Sequence, residues 1–205
     1  VTDPAGNSLV TPQAAWTWNV PEWLTLSPNG LGSNTSLNHS LVLDTLGGPI
    51  VAWSENDIHI QRMGPAGWTT LGGALSANPN NTPSMIPSLG VRSAGDPVIA
   101  WAESDGVAES IYVQEWTAGQ WHPIGAALSA VPGATDASFP SLALKTNGTP
   151  VVAWEESDGA VSSSYVRQWS NGSWQQLGPP LSAIAGTTDA RNPVMELDSG
   201  GNPIV

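Results

Sequence analysis

Short runs of apolar residues alternate with turn signals along the whole chain, and none keeps a helical period over three turns. The best example starts with the short apolar run 142–144, followed by a turn and then the β-branched run 150–154, which ends in Trp154. The stretch 165–169 partly alternates in polarity, so that every second side chain shares one face. A fourth run begins at Trp174. The pattern predicts units of four short β-strands.

These units recur along the chain. Trp68, Trp121 and Trp174 follow one another at an interval of 53 residues, and Trp101 precedes Trp154 by the same interval. Four antiparallel strands in roughly 50 residues is the size of a β-propeller blade. A β-sandwich is the alternative all-β fold, but it gives no reason for the sequence to repeat. We therefore predict an all-β fold, a β-propeller of about four four-stranded antiparallel blades.

The repeat also predicts how the domain is divided. One propeller domain is expected to cover 1–205, with a partial blade at 1–31, blades at 41–76, 87–129 and 140–182, and a partial blade at 193–205. Residues 3–10 resemble residues 198–205, so both ends lie at the same point of the repeat. A four-bladed ring closed by its last strand and a fragment of a larger propeller both fit, and the overlap of the two ends favours the fragment.

Composition narrows the classes of partner. The chain carries 17 acidic and 5 basic residues, a net charge of −12, whereas a phosphate-binding surface needs clustered Lys and Arg. No stretch approaches the roughly 18–20 apolar residues of a membrane span. These features predict no nucleic-acid partner and no membrane insertion. The chain has no cysteine, which excludes disulfides and thiolate metal sites and fits a bacterial protein of the cell surface or exterior.

One motif carries a family resemblance. The pattern Trp-x-x-Gly-x-Trp-x-x-Leu-Gly at 169–178, with Pro-Ser-Leu-Ala-Leu at 140–144 and Gly-x-Pro-Val-Val-Ala-Trp at 148–154, resembles the repeats of bacterial extracellular β-propeller proteins. Sialidase-like and lectin-type propellers are loosely related to these. The resemblance implies an extracellular or cell-surface module for adhesion, assembly or protein binding, with glycans or surface proteins as partners and self-assembly as a further option.

A Trp-x-Glu element occurs in three units, and its members are the speculative ligand-binding residues Trp53, Glu55, Trp101, Glu103, Trp154 and Glu156. A Trp and a Glu two residues apart lie on the same face of a strand. An exposed pair of this kind would stack on a sugar ring and bind its hydroxyl groups, as a lectin with repeated sites at the blade interfaces requires. The alternative is structural, with each Glu accepting hydrogen bonds from the following turn or from an indole N–H.

No residue set predicts catalysis. An active site needs residues that occur in one copy of the repeat only. We find no zinc-ligand spacing, nucleophile elbow or phosphate loop in the sequence. We therefore expect a protein that is not an enzyme, with a lectin as the first alternative and a fragment of a sialidase-like glycoside hydrolase as the second. No cofactor is expected. Asp136 and Asp189, repeated in the long loops, are weak candidates for Ca²⁺, against a reading as loop caps.

Overall fold

The computed structural model describes residues 38–79, 83–157 and 159–205. Within these ranges all regular structure is β, and twelve of the strands form three antiparallel sheets in chain order. The first sheet contains β1 (His39–Leu43), β2 (Pro49–Glu55), β3 (Asp57–Gly64) and β4 (Gly67–Thr70). The second contains β5 (Met85–Val91), β6 (Pro97–Ser104), β7 (Glu109–Thr117) and β8 (Gln120–Pro123). The third contains β9 (Ala137–Leu144), β10 (Pro150–Ser157), β11 (Ser162–Ser170) and β12 (Ser173–Gln176).

Two further strands form a small fourth sheet. β13 (Glu196–Leu197) pairs with β14 (Pro203–Ile204), with Leu197 opposite Pro203. The same register joins β9 to β10, where Leu144 lies opposite Pro150. The fourth sheet is thus the first half of another four-stranded unit.

The second strand of each unit is mostly apolar, and in β6 neighbouring sheets cover both faces. In β6, every residue from Pro97 to Glu103 is buried. Ile99 and Trp101 pack against the first sheet, whereas Val98, Ala100 and Ala102 pack against the third. Burial on both faces explains why these strands do not alternate in polarity.

The first strands of successive sheets lie side by side, and one serine in each ties it to the next. The hydroxyl of Ser88 accepts a hydrogen bond from the backbone N–H of Leu142 at 3.0 Å. Ser40 does the same for Leu89, and Ser141 for Met195. These serines occupy the same position of the repeat, so each copy of the sequence contains the residue that links neighbouring first strands.

Sheets of four antiparallel strands, packed face to face with their first strands adjacent, are the blades of a β-propeller. The predicted fold class is confirmed. The partial blade at 1–31 lies outside the described residues, and the structure places β13 and β14 in the predicted partial blade 193–205. The described part of the chain contains no helix that could cross a membrane.

Candidate functional site

The Trp-x-Glu element of the second sheet joins two blades. Glu103 is fully buried, and its two carboxylate oxygens accept hydrogen bonds from a neighbouring side chain and from the loop that follows β4. The donors are the indole Nε1 of Trp101, the hydroxyls of Ser76 and Ser84, and the backbone N–H groups of Ala77 and Asn78, at 2.6–2.8 Å. The Glu103 carboxylate therefore holds the connection from the first blade to the second.

The third sheet repeats this arrangement. Glu156 is 1% exposed and accepts a hydrogen bond from Trp154 Nε1 at 2.8 Å. Its other donors come from the loop after β8, namely the hydroxyls of Ser129 and Thr135 and the backbone N–H groups of Ala130 and Val131. We call each such carboxylate, with the loop that surrounds it, a glutamate latch.

The electrostatics of both latches favour an ionised glutamate. Burial alone raises the pKa of the Glu103 carboxyl, but the hydrogen bonds from Ser76, Trp101, Ala77 and Asn78 outweigh burial and lower the pKa overall. The pKa of Glu156 is lowered in the same way. A buried charge with this many donors is a structural anchor whose acceptor capacity is already used.

This geometry corrects the interpretation of the Trp-x-Glu elements as sugar platforms. Trp101 and Trp154 are 0% exposed and their glutamates are saturated, so neither pair presents a face or a free oxygen to a ligand. Trp53 is also buried and stacks on His59, while Glu55 lies half-buried at the end of β2. Of the two structural alternatives, the indole N–H is a partner, but most of the remaining donors come from the preceding loop.

The paired tryptophans of the second and third sheets also pack between blades. Trp169 and Trp174 meet edge to face with ring centroids 5.4 Å apart, and Trp174 Nε1 donates to the Ile124 carbonyl in the second sheet. Trp116 and Trp121 repeat the contact, with Trp121 Nε1 donating to Leu71. All tryptophans in the described ranges are buried or half-buried. Their repetition is a packing signal.

A different set of residues lies where the first strands begin. Ile86, Phe139 and Asn192 each immediately precede a proline, and all three have a left-handed backbone with φ of 51–54°. The two four-stranded sheets that contain Ile86 and Phe139 have a register shift at this point. A left-handed Ile or Phe is uncommon and costs conformational energy, and such strain concentrates at functional sites.

One of these positions adjoins a group of acidic residues. Asp136 Oδ1 accepts a hydrogen bond from the backbone N–H of Glu109 at 2.8 Å, and the Ser138 hydroxyl hydrogen-bonds to the Glu109 carboxyl. Ser138 lies opposite Glu155 in the β9–β10 ladder, and Phe139 beside it is 39% exposed. We define the acidic rim as Glu109, Asp136, Ser138, Phe139 and Glu155.

At the boundary between the second and third sheets, the charge of Asp136 acts on the Glu109 carboxyl. Burial and the negative charge of Asp136 raise the pKa of the Glu109 carboxyl, against a smaller lowering by the Ser138 hydroxyl. Glu155 has a structural contact as well, because its Oε2 accepts the backbone N–H of Asn192 at 2.5 Å. The rim therefore combines a carboxyl that keeps its proton to higher pH, further carboxylates and an exposed aromatic ring.

The other sheets have the same backbone arrangement at this position but different side chains. The position of Glu109 is taken by Asn56 and by Ser162, as the equivalent bridges of Ile58, Ile111 and Ser164 to the following loops show. At the boundary after the third sheet, Arg191 forms an exposed ion pair with Asp189 at 3.1 Å. Variable side chains on a constant frame are typical of binding surfaces.

The two aspartates considered for calcium act as loop caps. Asp136 Oδ1 accepts from the N–H of Glu109, and Asp189 Oδ1 accepts from the N–H of Ser162, both at 2.8 Å. The pKa of Asp189 is lowered, first by that backbone hydrogen bond and then by Arg191. Within the ranges the structure describes, no group of three His, Asp or Glu residues is arranged to hold a metal ion.

Sequence reasoning missed the acidic rim because it searched for features that repeat. Glu109 and Phe139 are singular: one unit later their positions are Ser162 and Asn192. An alignment of the copies that looked for differences at the ends of strands would have pointed to both. The contact of Glu109 with Ser138 joins two units and needs the structure.

Several solved structures are similar to this chain in fold at low sequence identity. No protein-family model matches the sequence, and no curated protein matches it. An α-L-arabinofuranosidase from Fusarium graminearum is 12% identical, with a TM-score of 0.55 over 72% of this chain and 49% of the enzyme. An α-L-arabinanase from Penicillium chrysogenum is 14% identical, with a TM-score of 0.53 over 73% of this chain and 50% of the enzyme. A protein of unknown function from Dyadobacter fermentans is 11% identical, with a TM-score of 0.59 over 82% of this chain and 60% of that protein.

These findings overturn the prediction that the chain is not an enzyme. The chain spans about half the length of the two named enzymes and shares their fold, which is therefore a fold of glycoside hydrolases. The prediction rested on finding no set of catalytic residues in the sequence, and the structure brings Glu109 next to Asp136, a carboxylate pair that the sequence analysis did not consider. At identities of 11–14% the likeness concerns the fold.

Proposed function

We propose that this chain is a carbohydrate-binding propeller module whose sugar site is the acidic rim. The observation that carries the proposal is the exposed Phe139 ring, held by a left-handed backbone directly after Ser138, whose hydroxyl hydrogen-bonds to the Glu109 carboxyl. Sugar recognition uses an aromatic face for the C–H surface of the ring, and carboxylates and hydroxyls for its OH groups. The rim supplies both at one blade boundary.

The charge of the chain narrows the class of sugar. With a net charge of −12 on the chain and three acidic residues among the five of the rim, we expect the rim to repel uronic and sialic acids. It favours neutral sugars and amino sugars. The names of the two similar enzymes refer to arabinose-containing substrates, which makes arabino-oligosaccharides the first neutral ligands to try. Because glycans of this kind are abundant outside cells, we place the protein at the cell surface or exterior.

The test is a glycan-array screen of the chain, followed by titration calorimetry on every sugar retained. Phe139→Ala is expected to weaken binding by about two- to tenfold, since loss of a stacking aromatic ring removes roughly 0.5–1.5 kcal/mol. Leu46→Ala is the matched control, because Leu46 is 94% exposed on the β1–β2 turn at the other end of the strands. Equal affinity of the Phe139→Ala variant and the unchanged protein would reject the acidic rim as the site.

A second candidate function is hydrolysis of a glycoside at the same rim. The specific observation is the raised pKa of the Glu109 carboxyl next to the charge of Asp136, the pairing of an acid and a carboxylate that glycoside hydrolysis uses. Glu109 would give its proton to the glycosidic oxygen as the bond to the anomeric carbon breaks, and a water molecule that loses a proton to the Asp136 carboxylate would supply the new hydroxyl. Release of reducing ends from oligosaccharides, abolished by Glu109→Gln, tests this role.

Binding without turnover would retain the first function alone. Absence of binding to any glycan would favour the reading as an adhesion or assembly module with protein partners. That outcome is to be followed by sedimentation of the chain over a range of concentrations, because self-assembly would appear there as a concentration-dependent mass.

A further inference from the structure

The loop after the third sheet has the form of a glutamate latch. Leu181 makes paired backbone hydrogen bonds to Ser164 at 3.0 and 2.8 Å, as Leu128 does to Ile111 at 2.9 and 2.8 Å. The Thr187 N–H then donates a hydrogen bond to the Ile184 carbonyl at 3.0 Å and closes a turn. The preceding loop contains the equivalent turn. It ends at Asp189, which caps its strand as Asp136 does. We call residues 181–189 the third loop.

The third loop also has the donors of a latch. Ser182, Ala183, Ile184 and Thr188 stand where Ser129, Ala130, Val131 and Thr135 stand one unit earlier. Those four earlier residues hold the carboxylate of Glu156 with two hydroxyls and two backbone N–H groups. In the part of the chain that the structure describes, no carboxylate reaches the third loop, and Thr188 Oγ1 instead accepts the Ile184 N–H at 2.9 Å.

The apolar side chains at and beside the third loop are exposed to solvent. Leu128 is 0% exposed beneath the third sheet, whereas its equivalent Leu181 is 41% exposed. Ile184 and Val194 beside it are 60% and 76% exposed. Leu181 is thus an apolar side chain whose equivalent in the preceding copy is covered by a neighbouring sheet, and Ile184 and Val194 extend the exposed apolar surface around it.

We propose that the third loop is a receptor for the glutamate of a β-strand that carries Trp-x-Glu and continues β14. The register of β13 and β14 matches that of β9 and β10, so a strand in line with β14 would bring its glutamate to the loop as β10 brings Glu156. The carboxylate would accept from Ser182, Ala183, Ile184 and Thr188, and the indole would cover Leu181. This inference does not depend on sugar binding.

The test supplies that strand. The chain is extended after Val205 by Ala-Trp-Glu-Glu-Ser, the sequence of 153–157, and compared with an extension in which the second glutamate is glutamine. The glutamate extension is expected to melt on the order of 5 °C higher than the glutamine extension, because only the carboxylate fills the latch. Ser182→Ala with Thr188→Val in the third loop is expected to remove most of that difference.

Two results would overturn the proposal. The first is equal melting of the glutamate and glutamine extensions, and the second is a difference that persists in the Ser182→Ala and Thr188→Val chain. A chain without an extension that is stabilised by glucuronate, while the glutamate extension has no effect, would instead make the third loop a site for free acids. The mutated residues lie on an exposed loop, so the variants are expected to fold.

Discussion

The indole Nε1 of Trp154 donates a hydrogen bond to Glu156 Oε2 at 2.8 Å, and Trp101 makes the same bond to Glu103 at the same distance. In both cases the remaining donors to the carboxylate come from the loop of the preceding blade. The Trp-x-Glu element therefore works as one structural unit: the indole fixes the glutamate, and the glutamate fixes the crossing between blades.

Replacing Glu156 by Gln is expected to destabilise the protein by about 3 kcal/mol, because an amide cannot accept from all five donors and places its own NH₂ among them. The free energy of unfolding in urea measures this effect. Glu196→Gln is the matched control, since Glu196 lies exposed on β13, and it should leave the urea midpoint unchanged. A Glu156→Gln chain as stable as the control would contradict the latch.

Acid should weaken the contacts between blades. Because the folded protein lowers the pKa of Glu103 and Glu156 below the ordinary value of 4.5, their stabilising effect is complete above that pH. It is lost as pH falls through 4.5 towards the lower folded values. Urea unfolding at a series of pH values should show stability declining below about pH 5. The Glu156→Gln chain should decline less steeply, and parallel curves would argue against this role.

Glu109 should affect the pH dependence of stability in the opposite direction. Its raised pKa means that the ionised form is disfavoured in the folded protein, so the cost appears as pH rises above 4.5. Glu109→Gln is therefore expected to raise the urea midpoint at pH 7 and to have little effect at pH 3. If the rim binds sugar, the same variant should lose affinity. A residue kept at a cost in stability and needed for binding is what a functional site predicts.

The sequence predicted the blades because the spacing of Trp, Gly and Pro recurs within each unit. It did not predict what joins the blades, because those contacts span units: Ser76 and Glu103 are 27 residues apart, and Ser141 and Met195 are 54 apart. The sequence left two roles open for Trp101 and Trp154, sugar binding and packing, and their complete burial in the structure supports packing. The acidic rim could not be assembled from the sequence alone because Ser138 and Glu109 belong to different sheets.

The serine bridges give a prediction for the first strands. Ser141→Ala removes the acceptor of the Met195 N–H, which lies 2.9 Å from the Ser141 hydroxyl. We expect a loss of about 1 kcal/mol and faster amide hydrogen exchange at Met195. Ser199→Ala, on the exposed β13–β14 turn, is the control for loss of a hydroxyl. Unchanged exchange at Met195 would show that water or another group replaces the serine.

Alanine substitutions at two equivalent glycines distinguish the effect of steric crowding from the effect of backbone strain. Gly125 and Gly178 occupy the same position of the repeat and have φ of 70° and 76°, so an alanine pays the same left-handed cost of about 1 kcal/mol at either one. At Gly125 the new Cβ would lie against the Trp169 indole, 2.8 Å from its Cη2 atom, whereas nothing lies within 4 Å of the Cβ at Gly178.

Gly125→Ala is therefore expected to lose about 1–3 kcal/mol more than Gly178→Ala, because Trp169 and Trp174 must move from their packed positions. Urea unfolding gives the two free energies, and near-ultraviolet circular dichroism reports the displaced indoles in the Gly125→Ala chain alone. Equal losses in the two variants would mean that the Trp169–Trp174 pair gives way without cost. In that case the close approach of each tryptophan pair to the preceding blade would not contribute to holding the blades together.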